Sequence, residues 1–347
     1  MAGEIFDDAL LDDATALEGA DVDLRRLAEA GARVRREVGA SDEVGGLLDQ
    51  FDVPRALIVA GTDARLLRAV LEPWCPVPFV AWPGPGLPGW AGPLDLVVVL
   101  APGGGDSGTA SACTEAIRRG CGLIAACPPH SVLAEHAQGR YSIVMPTHTD
   151  DALASAVVVL QALHHIGLGP AVDAEAVAEA LDQVAIACSP HSDISGNTAK
   201  DLALALGDAL PLVWGGSVLS ARAGRRVAEA LRHRSGRPAL AADAEHLLPV
   251  MSETVDRDLF ADPFAEPVPT TRPALVVLDD GSEEPVIREQ RGRLTYTAQD
   301  RGVRICTVEA KDGPGVARYA SLLATGSYAA VYLGVGLGRT GRPSGQP

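Results

Sequence analysis

Short runs of consecutive apolar residues alternate, over most of the chain, with stretches in which apolar positions recur every three or four residues. RALIVAG (Arg55–Gly61), VPFVAW (Val77–Trp82), LDLVVVLA (Leu94–Ala101), GLIAAC (Gly122–Cys127) and YSIVM (Tyr141–Met145) read as strands. They are apolar at successive positions, as strands covered on both faces are, and this predicts a parallel sheet. Helical periodicity near 63–71, 109–120 and 131–138 supplies the crossovers, whereas the 82–93 connection is rich in Pro and Gly and is not expected to be helical. Five parallel strands between two helical layers make a three-layer α/β/α sandwich. Residues 7–50 carry helical periodicity ahead of it, most clearly in LRRLAEAGARVRREV.

Helical patterns at 150–166 and 171–186 lead to a second α/β unit that starts near Ala199. Its strands are PLVWGG (Pro211–Gly216), ALVVLDD (Ala274–Asp280), VRICTVE (Val303–Glu309) and a shorter one near RPALAAD (Arg237–Asp243). Helices near 218–233, 284–300 and 314–337 fill the gaps, and DPFAEPVPTTRP (Asp262–Pro273) is a proline-rich loop. The expected organisation is a helical segment over 1–50, a first domain over 51–168, a helical connector over 169–198, a second domain over 199–338 and a flexible tail over 339–347. No short-period repeat is present; what repeats is the α/β unit itself.

Composition narrows the function. With 347 residues, 47% hydrophobic and 21% charged, the chain suits a soluble globular protein of two domains. No apolar run reaches the ~18 residues of a membrane span, and the acidic start MAGEIFDDALLDD is neither a signal nor a transit peptide. A cytoplasmic location and no membrane partner follow. The net charge of −16 repels nucleic acid, and the first 50 residues hold too many carboxylates for a basic helix-turn-helix. The six cysteines form no C-x-x-C pair and no zinc spacing, so they read as free thiols and no metal or other cofactor is expected. Lys200 and Lys311 are the only lysines, which leaves Schiff-base chemistry almost without candidates.

Two stretches resemble phosphate loops. SGNT (Ser195–Thr198) has the right residues but follows a helix and a polar connector, SPHSDI, so Asn197 or Thr198 reads as the N-cap of the next helix. The sequence VVVLAPGGGDSGTASACTEAIRRG has the better context of strand, glycine-rich turn and helix. There Gly103, Gly104 and Gly105 allow close approach of an anion, and Ser107 and Thr109 supply hydroxyls. Asp106 stands at the mouth of the same turn, either as a helix cap or as a charge that opposes phosphate.

The order of elements resembles the SIS (sugar isomerase) fold, and in particular the bifunctional phosphoglucose/phosphomannose isomerase family in a TobH-like actinobacterial branch. Three stretches carry the resemblance: Val97–Gly120; NTAKDLALALGDALPLVWGG, similar to the family's NPAK-x-LA segment; and GPGVARYASLLATGSYAAVYLGV (Gly313–Val335), similar to its C-terminal helices. The resemblance implies two SIS domains and proton transfer between C1 and C2 of a hexose 6-phosphate by a carboxylate base. A His opens the ring, and Ser and Thr hydroxyls hold the phosphate. It also implies a homodimer in which each site borrows residues from the neighbouring subunit.

Residue by residue, the chemistry departs from that pattern. The family loop S-x-S-G-N-T falls on Ala101–Asp106, with both serines and the threonine gone. The family's base position falls on His233. The ring-opening H-N-E motif has its counterpart in Glu245 and His246, which stand either as a relic of that pair or as loop residues. The Arg that follows the fifth strand and the catalytic Lys of the last helix have no equivalent. Two readings follow. One is a SIS module that binds a sugar phosphate or sugar nucleotide as a regulator or pseudoenzyme, within mannose metabolism. The other is an active glucose-6-phosphate/mannose-6-phosphate isomerase with relocated residues.

Overall fold

Every apolar run read as a strand lies in a parallel sheet. The structure, a computed structural model, describes residues 5–41, 45–61, 64–254 and 272–339. Positions 262–271 of the proline-rich stretch and 340–347 of the tail fall outside the described residues. The chain divides into two units, Ala30–Glu179 and Met1–Glu29 with Ala180–Pro347. The first fifty residues are thus shared between the units at Glu29/Ala30. Helices α1 (Ala14–Glu18) and α2 (Asp21–Ala28) belong to one, α3 (Ala30–Ser41) and α4 (Gly45–Leu48) to the other.

The unit over 30–179 holds β1 (Leu57–Ala60), α5 (Ala64–Leu71), β2 (Phe79–Trp82), β3 (Leu96–Leu100), α6 (Ser107–Arg119), β4 (Gly122–Cys127), α7 (Val132–His136), β5 (Ser142–Pro146) and α8 (Ala152–His165). The division between the units falls within α9 (Ala174–Ala187). The strand order is β2-β1-β3-β4-β5, all parallel. Every residue of β1 and β3 is buried, which is why the sequence there shows no alternation. The 82–93 connection makes no helix; instead Leu87 and Ala91 enter the core beside α6. Helix α3 packs on α8. Buried Glu37 accepts the backbone N–H of His148 and Thr149, and Arg33 pairs with Asp151 at 2.9 Å.

The other unit holds α10 (Thr198–Leu206), β6 (Ala209–Gly215), α11 (Val218–Ser235), β7 (Leu240–Ala241), α12 (Ala244–Ser252), β8 (Arg272–Asp279), α13 (Pro285–Asp300), β9 (Arg304–Glu309) and α14 (Gly315–Gly336). Its order is β7-β6-β8-β9, again parallel throughout. One face carries Trp214, Leu247, Met251 and Leu294, from β6, α12 and α13. The opposite face meets α11, where a Cβ on Gly224 would lie 3.3 Å from Val213. Helix α12 is absent from the sequence reading, which leaves Glu245 and His246 as a relic of the ring-opening pair or as loop residues. Ala244, Leu247 and Met251 nonetheless recur at helical spacing and are buried.

Helix α10 starts where the sequence places it. The Asn197 side chain accepts the amides of Ala199 and Lys200, both at 3.1 Å. SGNT is therefore a helix start. Lys200, fully buried, donates to Asp12 (2.6 Å) and to the carbonyls of Pro190 and Ser192, with its Nζ 5.7 Å from the Tyr332 ring centroid. All three ammonium protons thus have acceptors, and the side chain ties the N-terminal segment to this unit.

Candidate functional site

In an open parallel sheet, ligands sit beyond the carboxyl ends of the strands where the strand order reverses. In the five-stranded sheet this point lies between β1 and β3. Beyond β1, Gly61 has φ +98°, the left-handed region that favours glycine, and a Cβ there would meet Thr109 Oγ1 at an ordinary contact distance of 3.4 Å. Beyond β3 the chain turns through Ala101–Asp106. Gly104 (φ +93°) and Gly105 (φ +79°) adopt the left-handed conformation that only glycine enters freely. This turn delivers the chain to the start of α6.

Asp106 decides what that turn can do. Its backbone is extended, and it is the N-cap of α6. Its Oδ1 accepts the Thr109 amide at 2.7 Å and the Thr109 hydroxyl at 2.7 Å. The hydroxyl of Thr109 first, and then the backbone amides, hold the Asp106 carboxyl below its ordinary range. The carboxylate therefore occupies the place at the helix N-terminus that an incoming anion would take, and it is a poor proton acceptor there. Thr109 is buried with its proton committed to Asp106. Gly103 and Ser107 are exposed at the mouth, and Pro85 of the 82–93 connection lies over Gly108. The structure thus brings Gly103, Gly104, Gly105, Asp106, Ser107 and Thr109 into one turn.

The four-stranded sheet reverses between β6 and β8. Gly215 and Gly216 lead to Ser217, the N-cap of α11 in a reciprocal capping box with Ser220. Ser217 also donates its hydroxyl proton to Asp280. Next to it, Asp279 accepts both arms of Arg291 (3.0 and 2.7 Å) and lies 3.4 Å from Lys311. Burial raises the Asp279 pKa. The Gly281 amide, Arg291 and Lys311 more than offset this, so the carboxyl stays below its ordinary range. Arg318 donates to the Asp280 carbonyl. The sequence reading did not single out this cluster. Its signal is the Asp-Asp-Gly that ends an otherwise apolar strand.

The three residues taken as candidate catalytic groups do not converge. His233 is exposed on the last turn of α11, about 24 Å along the helix from Ser217, at the edge where the strands begin. Glu245 and His246 stand on the first turn of α12, just beyond β7 and so at the opposite edge. Glu245 is exposed and paired with Arg293 at 3.0 Å. His246 is exposed as well. Among the described residues, no three His, Cys, Asp or Glu side chains converge as metal ligands, and no helix is long and apolar enough to cross a membrane.

Residues 195–343 match the family described as the bacterial phospho-glucose isomerase C-terminal SIS domain. The match covers α10 through α14 and leaves the five-stranded unit outside it. Comparison with curated proteins finds no match. Among solved structures, tagatose-6-phosphate ketose/aldose isomerase from Escherichia coli is similar over 93% of this chain and 96% of that one, with a TM-score of 0.68 and 11% identity. The C-terminal domain of glucosamine-fructose-6-phosphate aminotransferase from Francisella tularensis is similar over 91% and 96%, with a TM-score of 0.62 and 13% identity. A glucose-6-phosphate isomerase like protein from Thermus thermophilus is similar over 87% and 92%, with a TM-score of 0.50 and 16% identity. At these identities the likeness is one of fold: two α/β sheets of the SIS type.

Proposed function

We propose that this chain is a SIS protein of the phosphoglucose/phosphomannose isomerase type, in its TobH-like branch, that binds a sugar phosphate or related carbohydrate derivative with little or no aldose–ketose turnover. The order of the two sheets, the glycine turn beyond β3 and the match over 195–343 support the binding half of this reading. The observation that carries the catalytic half is Asp106. A family phosphate loop offers hydroxyls and free amides, whereas here a carboxylate caps the helix and takes the Thr109 proton. Loss of one positioned acid–base group typically costs 10²–10⁴-fold, and among the described residues His233 lies at the edge opposite Glu245 and His246.

The test is proton exchange at C2. Mannose 6-phosphate and fructose 6-phosphate are incubated with the protein in deuterated buffer and followed by proton NMR, alongside a coupled isomerase assay. The expected result is neither deuterium uptake nor turnover, together with a concentration-dependent rise in melting temperature. Turnover above ~1 s⁻¹, the low end for ordinary enzymes, overturns it and favours an active isomerase with relocated residues.

A further inference from the structure

The two sheets differ by one strand. The order β2-β1-β3-β4 corresponds to β7-β6-β8-β9, and in the first sheet the outer edge of β4 carries β5, paired from Leu123 with Ser142 to Cys127 with Pro146. The chain leaves β9 directly for α14, and among the described residues no strand pairs with the outer edge of β9. A cavity of about 1320 Å³ lies there. Successive residues of a strand point to opposite faces. All of Arg304–Val308 nonetheless line this cavity, so it runs alongside the strand and not over one face. Leu202, Leu204 and Ala205 of α10 form the facing wall. The Ala310 amide donates to the Asp279 carbonyl of β8. By the alternation of a parallel ladder, residues 304, 306 and 308 also turn to β8, and the N–H and C=O groups of Ile305, Thr307 and Glu309 face the open edge.

We propose that this groove takes an extended basic segment of a partner protein as a fifth strand, in the place that β5 fills in the other sheet. Backbone groups left open along an apolar groove recognise another backbone, and the groove walls select its side chains. The cavity exceeds the ~300–1,000 Å³ that small ligands fill. Along Arg304–Val308 it extends about 13 Å, the length of a short strand. Ile305 and Leu204 offer apolar contact on the two walls. Arg304 is committed to the Ala205 carbonyl and to Asp208. Asp201 lines the same groove, is exposed and makes no ion pair among the described residues. The segment it fits is apolar at alternate positions and sets a lysine or arginine against Asp201, the sign that a chain of net charge −16 also attracts. This inference stands apart from the sugar-phosphate reading, which concerns the turns beyond the carboxyl ends of the strands.

Fluorescence polarisation of the full chain with a labelled, end-capped hexapeptide of alternating valine and lysine tests it. The expected result is saturable binding with a Kd below about 1 mM. Replacing the lysines by glutamates weakens binding about tenfold, and N-methylating the peptide amides abolishes it. Thr307→Pro removes an outward N–H and leaves the bonds to β8 in place, as Pro on an edge strand can. It is expected to abolish binding without lowering the melting temperature. Asp201→Lys, at an exposed position, is expected to reverse the preference from lysine to glutamate, and it keeps the test open if the Pro variant does not fold. Absence of saturable binding overturns the proposal. So does binding that survives N-methylation, or that survives Thr307→Pro in a folded protein. A wild-type dimer in sedimentation that Thr307→Pro returns to monomer overturns it as well, because a second copy then fills the groove.

Discussion

The two sheets answer the same physical question differently. At each reversal of strand order a helix N-terminus points its free amides outward, and each unit meets that potential with its own carboxylate. On α6 the group is Asp106, three residues from the amide it caps. On α11 the cap is a neutral Ser217, and the carboxylate, Asp280, is brought from 63 residues away. The first solution is local. The second is a tertiary lock, extended by Asp279 to Arg291 on α13 and to Lys311 before α14. The reversal point of the sheet is thus closed by a local cap in one unit and by a tertiary strut in the other.

Breaking the strut is expected to have the largest effect. Asp279→Ala leaves Arg291 and Lys311 facing each other without their shared acceptor. Breaking a buried pair costs roughly 3–5 kcal/mol, and the partial exposure of both cations reduces this to about 2–3 kcal/mol, measurable by urea denaturation. Asp106→Ala removes only a cap and is expected to cost about 1 kcal/mol. If the two losses are equal, the distinction between lock and cap fails.

The pH dependence sharpens the same contrast. Both Asp279 and Asp106 have folded pKa values below the unfolded one. Their stabilisation is therefore complete above the unfolded carboxyl value of about 3.9 and is lost as pH falls through the lower folded values. Stability is expected to drop on acidification below about pH 4, and Asp279→Asn is expected to flatten that limb more than Asp106→Asn. Thermal melts between neutral and acid pH read this out.

The sequence makes the sheets legible because burial on both faces writes itself as unbroken apolar runs. Helix α12 is not in the sequence reading, although the 244–247–251 spacing describes a buried stripe and Pro249 sits inside the helix. Asp106 is visible in the sequence with two opposed meanings, cap and repelling charge, and the geometry shows the cap. The Asp279 cluster was out of reach, since its partners lie 12 and 32 residues along the chain and meet it only through the sheet. His233 shows the cost of aligning by motif alone. A residue at the far end of a helix that follows a strand must lie at the edge where strands begin, away from Glu245 and His246.

The smallest effect on stability and the largest on function are expected from one substitution. Asp106→Ser keeps a good N-cap, because Ser and Asp rank alike there, and removes the charge. Stability should change by less than about 0.5 kcal/mol. Calorimetric titration of wild type and Asp106→Ser with fructose 6-phosphate then tests the central claim. Relief of a repulsion of roughly 1.4 kcal/mol predicts about tenfold tighter binding by the variant. Equal or weaker binding by Asp106→Ser would contradict the claim that this carboxylate holds the place of the phosphate.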